Sequence, residues 1–163
     1  MIERFYDYKR FCDDQFCEYE NGKITSFLIF TITNGTLKIE DINSKDAIDE
    51  SYHHGTELMI NFLQNQMNKG VVFTRIHGRL SSVDAADGWR KSIPFYANLP
   101  HYINNYFHTN YVFHLYDGLD KHVELTDSYN QACQDGIRND YIEKLIQEHL
   151  KINGDLCFEF VIV

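Results

Sequence analysis

The chain has 163 residues, of which 44% are hydrophobic and 15% aromatic, and this share of core-forming side chains excludes an intrinsically disordered protein. Its 24 acidic residues outnumber the 15 basic residues and leave a formal net charge of -9; because nucleic-acid affinity depends on basic side chains at phosphates, we expect no nucleic-acid partner. The length predicts one domain over residues 1–163.

The N-terminus and the cysteines indicate the compartment. No apolar run reaches the roughly 18 to 20 residues that span a bilayer, and the charged start MIERFYDYKRFCDDQF differs from the apolar block of a signal peptide. We therefore expect a cytoplasmic protein with reduced cysteines and no membrane partner. The close pair Cys12 and Cys17 lacks the second pair that a zinc ribbon requires, and the histidines share no helical or strand face, so we expect no metal.

Residues 16–42 are predicted to form an antiparallel meander. Three β-rich runs, FCEYE, KITSFLIFTIT and TLKIEDI, are separated by the dipeptides Asn21-Gly22 and Asn34-Gly35. An Asn-Gly dipeptide between two β-rich runs is a strong signal for a hairpin turn. The polar residues 43–52 are predicted to form a loop.

A helix and a further strand follow this loop. The helix is predicted over residues 54–68, where apolar side chains recur at three- and four-residue spacing until Lys69-Gly70 ends it. These apolar side chains are Leu58, Met59, Phe62, Leu63 and Met67. Residues 71–80, VVFTRIHGRL, are predicted to be a strand. Because a strand, helix and strand in succession form a right-handed crossover, TLKIEDI and VVFTRIH are predicted to be parallel neighbours.

The second half of the chain also alternates helices and strands. We predict a helix over residues 87–99 despite Pro94, a strand over residues 111–116, a helix over residues 137–151 and a last strand, DLCFEFVIV. The last strand is apolar on both faces apart from Glu159, which is typical of a strand inside a sheet. The predicted fold class is α/β, a mixed central β-sheet flanked by helices, with parallel strands joined by a βαβ crossover.

The start of the first helix, His54-Gly55-Thr56, is a candidate phosphate site. A helix N-terminus presents unpaired backbone N–H groups and the positive end of the helix dipole, and a glycine there lets the chain approach a ligand closely. A second interpretation stays open, in which Gly55 is a small residue at a helix start and Thr56 is a cap.

The strand before the loop has an irregular pattern. Leu37 and Ile39 share one face under alternation, whereas Ile42 falls on the other. A β-bulge near Asp41 would return Ile42 to the face of Leu37 and Ile39 and would place the carboxylates of Glu40 and Asp41 at the bend. Bulges beside active sites redirect groups of the chain in this way. The alternative is that both are solvated carboxylates at a strand end.

Several short motifs occur together in the order and at the spacing of a known family. They are Ile39-Glu40-Asp41-Ile42, His54-Gly55-Thr56-Glu57-Leu58-Met59, Gly78-Arg79-Leu80-Ser81 and Pro94-Phe95-Tyr96-Ala97-Asn98-Leu99. In this arrangement the chain resembles the core of the GNAT acetyltransferase superfamily over residues 24–101, which is about half of its length.

The resemblance implies a site for acetyl-CoA. Ile42 and its neighbours would lie where a bulged fourth strand holds the pantetheine and polarises the thioester. The pyrophosphate would bind backbone amides of the loop and helix start, at His53, His54, Gly55, Thr56 and Glu57. Tyr96 matches a tyrosine that protonates the departing CoA thiolate; its other interpretation is a core tyrosine whose hydroxyl bonds to backbone.

The chain also departs from the family pattern. Glu50 stands where the family usually has Gln or Arg, and His53 replaces the first glycine of the phosphate loop. Leu99-Pro100-His101 replaces a Leu-Gly-Phe. Too few residues precede Phe16 for the usual first strand and helix pair, and the helix at residues 137–151 is inserted before the last strand, where it would cover a missing surface or make a dimer contact.

Two functions follow from the resemblance and these departures. The first is an acetyl-CoA-dependent N-acyltransferase that acts on an amine of a small molecule or protein, with a cationic acceptor favoured by the acidic chain. Glu40 or Asp41 would take the amine proton, the N–H near Ile42 would stabilise the oxyanion, and Tyr96 would protonate the sulfur. The alternative is a non-catalytic GNAT-like ligand- or protein-binding module with a degenerate CoA site. A homodimer is compatible with both the acyltransferase and the binding module.

Overall fold

The computed structural model of the chain describes residues 2–10, 13–20, 23–44, 54–80, 85–118, 123–150 and 154–163. These residues divide into two compact units, 1–76 and 77–163. The single-domain prediction stays a prediction. Among the helices that the structure describes, none combines the length and the hydropathy needed to cross a membrane.

The first unit contains an antiparallel meander of four consecutive strands. They are β1 (Ile2–Arg10), β2 (Asp13–Glu20), β3 (Lys23–Thr33) and β4 (Thr36–Ser44). Each strand pairs with the next in antiparallel register. The turn between β3 and β4 has positive φ at both Asn34 and Gly35, 49° and 76°, as the Asn-Gly signal predicts. The meander over residues 16–42 is therefore confirmed, and the dipeptide Asn21-Gly22 lies outside the described residues.

The first strand lies before Phe16. The sequence analysis predicted too few residues there for the usual first strand and helix pair, and the described residues hold only the strand, β1 at Ile2–Arg10, which pairs with β2 from Ile2 opposite Glu20 to Arg10 opposite Asp13. Only residues 11 and 12 separate β1 from β2, which leaves no room for a helix between the two strands.

Helix α1 (His54–Asn68) packs on one face of this meander, against β3 and β4. Its predicted range, 54–68, is confirmed. Phe62 is fully buried at the centre, with its ring 4.5 Å from that of Phe30 and 5.5 Å from that of Phe16. Leu58 and Met59 are buried beside it. Because each buried aromatic ring removes a large apolar area from water, this cluster fixes where α1 lies on the sheet.

Strand β5 (Arg75–Leu80) starts later than the predicted residues 71–80. The first predicted strand residue, Val71, belongs instead to the C-terminal turn of α1. Gly70 has φ 77°, and the Val71 N–H donates to the Gln66 carbonyl. This is the hydrogen bond of a Schellman motif. Thr74 N–H then donates to the Gly35 carbonyl. The chain order β4, α1, β5 is as predicted.

The described residues of the second unit form three helices and three further strands. They are α2 (Ala85–Phe107), β6 (Tyr111–Asp117), β7 (Val123–Glu124), α3 (Thr126–Gln134), α4 (Arg138–Leu150) and β8 (Leu156–Ile162). The predictions of β6, α4 and β8 are confirmed, and β7 and α3 were missed. Strand β8 lies between β5 and β6, so it is an interior strand as its apolar faces predict.

Helix α2 is longer than predicted and continues through Pro100 to Phe107. Its buried side chains Ile93, Tyr96, Leu99 and Ile103 recur at three- and four-residue spacing on both sides of that proline. The missing hydrogen bond at a proline weakens a helix, but burial of this continuous apolar face against the sheet outweighs the loss.

Candidate functional site

The bulge predicted near Asp41 is present in β4 and is confirmed. Ile29 of β3 pairs with Asp41, whereas the next residue, Phe30, pairs with Ile39, so Glu40 is the extra residue of the bulge. Beyond it, Ile42 pairs with the buried Leu28. Because directly opposed residues of an antiparallel pair point to the same face, the bulge returns Ile42 to the face of Ile39.

The two carboxylates at the bulge have different surroundings. Both side chains are exposed. Glu40 Oε1 lies 3.0 Å from Lys38 Nζ and accepts a 3.4 Å hydrogen bond from Thr31 Oγ1. Asp41 has no ion pair or hydrogen bond to any described residue of the chain. Glu40 is therefore partly neutralised, and Asp41 is the carboxylate available to a cation.

The α1 N-terminus carries the residues assigned to the pyrophosphate. The helix begins at His54, Gly55 is half-buried, Thr56 is buried and Glu57 is exposed in the first turn. His53 and Glu50 lie outside the described residues. The first backbone N–H groups of a helix have no intrahelical acceptor, so this turn offers donors to an anion. Glu57 opposes a phosphate there, because its charge has the same sign.

Tyr96 lies in the core of the second unit. It is 5% exposed, and its ring stacks on that of Phe158 of β8, with centroids 3.8 Å apart and planes at 14°. Phe95 packs edge-on against it at 4.9 Å. The ring therefore has a packing role, and the catalytic role assigned to its hydroxyl by the resemblance stays a prediction.

Sequence reasoning missed two buried polar groups. Glu18 is 3% exposed beneath α1, where its Oε1 accepts a 3.4 Å hydrogen bond from Asn61 Nδ2. His149 is 2% exposed; its Nδ1 donates to the Leu145 carbonyl at 2.7 Å, and its Nε2 lies 2.8 Å from Asp117 Oδ1. The two-residue repeat of a strand could have identified Glu18 as buried, since it places Glu18 on the same face as Phe16. The four-residue spacing of a helix could have identified His149, since it places His149 on the same face as Leu145.

One further charged cluster lies in the second unit, away from the predicted site residues in the sequence. His114 Nδ1 lies 2.6 Å from Glu124 Oε1, and Thr126 Oγ1 donates to the same oxygen at 3.2 Å. The hydrogen bond from His114 is the main reason that the pKa of Glu124 is lowered. Thr126 Oγ1 also accepts the Leu115 N–H, so this cluster fastens β7 to β6.

Comparisons with known proteins identify the fold. No protein-family model matches the chain, and no curated protein matches it. Among solved structures, an IAA acetyltransferase from Bacillus cereus matches with a TM-score of 0.50 and 9% identity over 100% of this chain and 99% of that one. A GNAT family acetyltransferase from Elizabethkingia anophelis with acetyl-CoA bound matches with a TM-score of 0.47 and 8% identity over 100% and 97% of the two chains.

The Bacillus cereus match spans both chains almost end to end. It shows that this chain has the fold of the GNAT acetyltransferases, a mixed α/β sheet flanked by helices, and so confirms the predicted fold class. At 9% identity it shows the fold alone.

Proposed function

We propose that this chain, which has the GNAT fold, is an acyl-CoA-dependent N-acyltransferase that transfers an acetyl group from acetyl-CoA to an amine of a small molecule or protein. The observation that carries the proposal is the bulge at Glu40 in β4, followed along the chain by a helix that begins at His54-Gly55-Thr56. These are the two backbone features that the resemblance assigns to the thioester and to the pyrophosphate.

The backbone supplies the binding groups in this proposal. A bulge interrupts the regular ladder, so main-chain groups beside Ile42 can turn toward a ligand. There an N–H would stabilise the oxyanion that develops on the thioester carbonyl. The amides of His54, Gly55 and Thr56, with those of His53 and Glu57 from the resemblance, would bind the pyrophosphate through the N-terminal end of α1.

The reaction requires two proton transfers. The acceptor must lose a proton to become nucleophilic, and we assign this proton to Asp41, because Lys38 and Thr31 already occupy the Glu40 carboxylate. The amine nitrogen then forms a bond to the acyl carbon while the carbon–sulfur bond breaks. Tyr96 comes to the mechanism through the resemblance, as the acid that protonates the CoA sulfur.

The non-catalytic binding module remains the second candidate. Two observations favour it, the burial of Tyr96 against Phe158 and the acidic Glu57 in the first turn of α1. Under this candidate Tyr96 only fills the core, and the α1 N-terminus does not bind acetyl-CoA.

Ligand-induced stabilisation distinguishes the two candidates. Acetyl-CoA at a hundredfold excess over Kd should stabilise the chain by about 2.7 kcal/mol, which is roughly 5 to 10 °C in melting temperature. Gly55→Glu should abolish this shift, because it puts a side chain and a negative charge at the phosphate. Gly55→Ala is the matched control and should keep part of it. Differential scanning fluorimetry measures the shift, and none with millimolar acetyl-CoA would favour the binding module.

Turnover tests the roles of the side chains. With acetyl-CoA and an amine acceptor, Asp41→Asn should lower kcat roughly a hundredfold or more, the range of a lost general base. Glu40→Gln, the matched control, should change kcat less than roughly threefold, because Lys38 and Thr31 hold that carboxylate. Tyr96→Phe should lower kcat while leaving the acetyl-CoA Kd unchanged, since its hydroxyl acts only as charge develops on sulfur. Full activity of either Asp41→Asn or Tyr96→Phe removes that residue from the mechanism.

A further inference from the structure

A cluster of polar side chains lies between α1 and the sheet of the first unit, and we call it the polar cluster. Its members are Glu18 of β2, Ser26 of β3, and Asn61 and Asn65 of α1. Glu18 and Ser26 are 3% and 1% exposed and oppose each other directly in the register of β2 and β3, so both side chains point to the face that carries α1. Asn61 Nδ2 donates to Glu18 Oε1 at 3.4 Å, and Asn65 follows one helical turn later on the same side of the helix.

The polar cluster does not serve the stability of the chain. Ser26 Oγ and Asn65 Oδ1 are buried and have no hydrogen-bond partner among the described residues, and burial of a polar atom without a partner is destabilising. Beside the cluster α1 buries apolar side chains, which are Leu58, Met59, Phe62 and Leu63. Because apolar residues of similar volume are often as stabilising as a buried polar pair or more so, another role explains why this side of α1 is polar.

The position of the polar cluster indicates that role. Ser26 pairs with Ser44 at the end of β4, and the neighbouring pair on the same face of the sheet is Leu28 with Ile42. Helix α1 begins at His54, about two turns before Asn61. The cluster therefore lies one row from Ile42 on the sheet, and it contacts the helix whose first turn is assigned to the pyrophosphate.

The hydrogen bond of Asn61 limits how α1 can rotate on the sheet. Apolar contacts such as that of Phe62 are non-directional and hold the helix on the sheet without selecting one rotation sharply. A hydrogen bond is directional, and this one holds Asn61 toward β2, to one side of the strands β3 and β4 on which α1 packs. Rotation of α1 about its axis would break it, and would also turn the N–H groups of the first turn.

We propose that Glu18 is a positioning residue for acetyl-CoA that acts through Asn61. The pair holds α1 in the rotation at which the amides of His54, Gly55 and Thr56 meet the pyrophosphate. The inference rests on the proposed function, and in it Glu18 touches neither substrate. Because a binding group must be held within about 0.5 Å of its productive position, a small rotation of α1 is enough to weaken the binding of acetyl-CoA.

The experiment compares acetyl-CoA affinity with stability in variants of the full chain. Glu18→Leu should raise the acetyl-CoA Kd roughly tenfold, the effect of one lost hydrogen bond, and should leave the melting temperature equal to that of the wild type or higher. Glu18→Gln keeps an acceptor oxygen for Asn61 and should bind acetyl-CoA with a Kd within roughly threefold of the wild type. Isothermal titration calorimetry measures Kd, and differential scanning fluorimetry measures the melting temperature.

A double variant tests whether Glu18 acts through Asn61. Asn61→Leu should raise Kd by the same factor as Glu18→Leu, and the two substitutions together should raise it no further, because residues that act as one unit have non-additive effects. Gln66→Leu is the matched control, since it removes another buried polar side chain of α1, 3% exposed, at the end of the helix away from the pyrophosphate. It should leave Kd unchanged.

The outcomes separate this inference from the proposed function. A wild type that does not bind acetyl-CoA at millimolar concentration overturns both. A wild type that binds, together with a folded Glu18→Leu variant of equal affinity, overturns the inference alone. An equal loss of affinity in Gln66→Leu, or a double variant whose effect is the product of the two single effects, also overturns it. Circular dichroism verifies folding, and Asn61→Leu with Glu18→Gln decides the result where Glu18→Leu does not fold.

Discussion

At the scale of single residues, His108 occupies a position that glycine normally takes. Glycines of positive φ follow helices α1 and α3, Gly70 at 77° and Gly136 at 73°, whereas the residue that follows α2 is His108 with φ 56°. In each case the following residue donates its N–H to a carbonyl five residues earlier, the Thr109 N–H to the Asn104 carbonyl in α2. The three helices share the Schellman ending, and only α2 places a side chain at its left-handed position.

Replacing this histidine should stabilise the chain. The left-handed conformation costs a non-glycine residue about 1 to 2 kcal/mol, and glycine loses about 0.5 to 1 kcal/mol of conformational entropy on folding. His108→Gly should therefore raise the free energy of unfolding by about 0.5 to 1 kcal/mol in urea denaturation. His108→Ala keeps the unfavourable φ and should give no gain; a gain of the same size from alanine would show that the backbone conformation is not the cause.

At the scale of elements, Asn104 joins the end of α2 to the start of β6. Its Nδ2 donates to the Tyr111 carbonyl at 2.9 Å, and its Oδ1 accepts the Tyr111 N–H at 2.8 Å and the Thr109 hydroxyl at 2.9 Å. Tyr111 then pairs with Ile162 of β8 and is buried. Burial raises the pKa of Tyr111 from 10.0 to about 12.

This burial should make the chain sensitive to alkaline pH. The unfolded chain releases the Tyr111 proton near pH 10, and the folded chain near pH 12, so the folded state holds more protons between these values. The contribution of Tyr111 to the free energy of unfolding is therefore complete below pH 10 and is lost as the pH rises through 12. Tyr111→Phe should show a smaller fall in unfolding free energy between pH 9 and about 12 than the wild type does.

Phe113→Leu provides the control for this measurement, because it changes an aromatic ring of the same strand that carries no titratable group and should keep the wild-type pH dependence. The comparison isolates one residue, since burial also raises the pKa of Tyr129 and Tyr141. Identical alkaline profiles for Tyr111→Phe and the wild type would refute the prediction.

At the scale of the whole molecule, the GNAT fold persists with 9% sequence identity to a structure that matches it over almost its full length. A fold tolerates this divergence because it depends on where apolar residues and turns recur more than on particular side chains. Functional residues have no such tolerance, since their chemistry depends on the side chain itself. The bulge and Gly55 match the family pattern that the sequence resembles, whereas Glu50 and His53 depart from it, and the proposed acetyl-CoA measurements test whether these departures prevent binding.

The sequence alone determined the features whose signals are local. Asn34-Gly35 predicted a hairpin because its two residues adopt positive φ, and the spacing from Leu58 to Met67 predicted α1 because a helix repeats every 3.6 residues. Ile42 predicted the bulge because it falls on the opposite strand face from Leu37 and Ile39 under regular alternation, and an extra residue in the strand returns it to their face. Each of these signals lies within a few residues of the feature that it predicts.

Only the tertiary structure decided the features that depend on distant parts of the chain. The predicted helix ended at Leu99, but packing of Ile103 in the core carries α2 through Pro100 to Phe107. Glu40 and Asp41 look equivalent in the sequence, and they differ because β3 brings Thr31 to Glu40 across the hairpin. Pairing, burial and charge neutralisation are set by neighbours in space, and no local pattern specifies which neighbours those are.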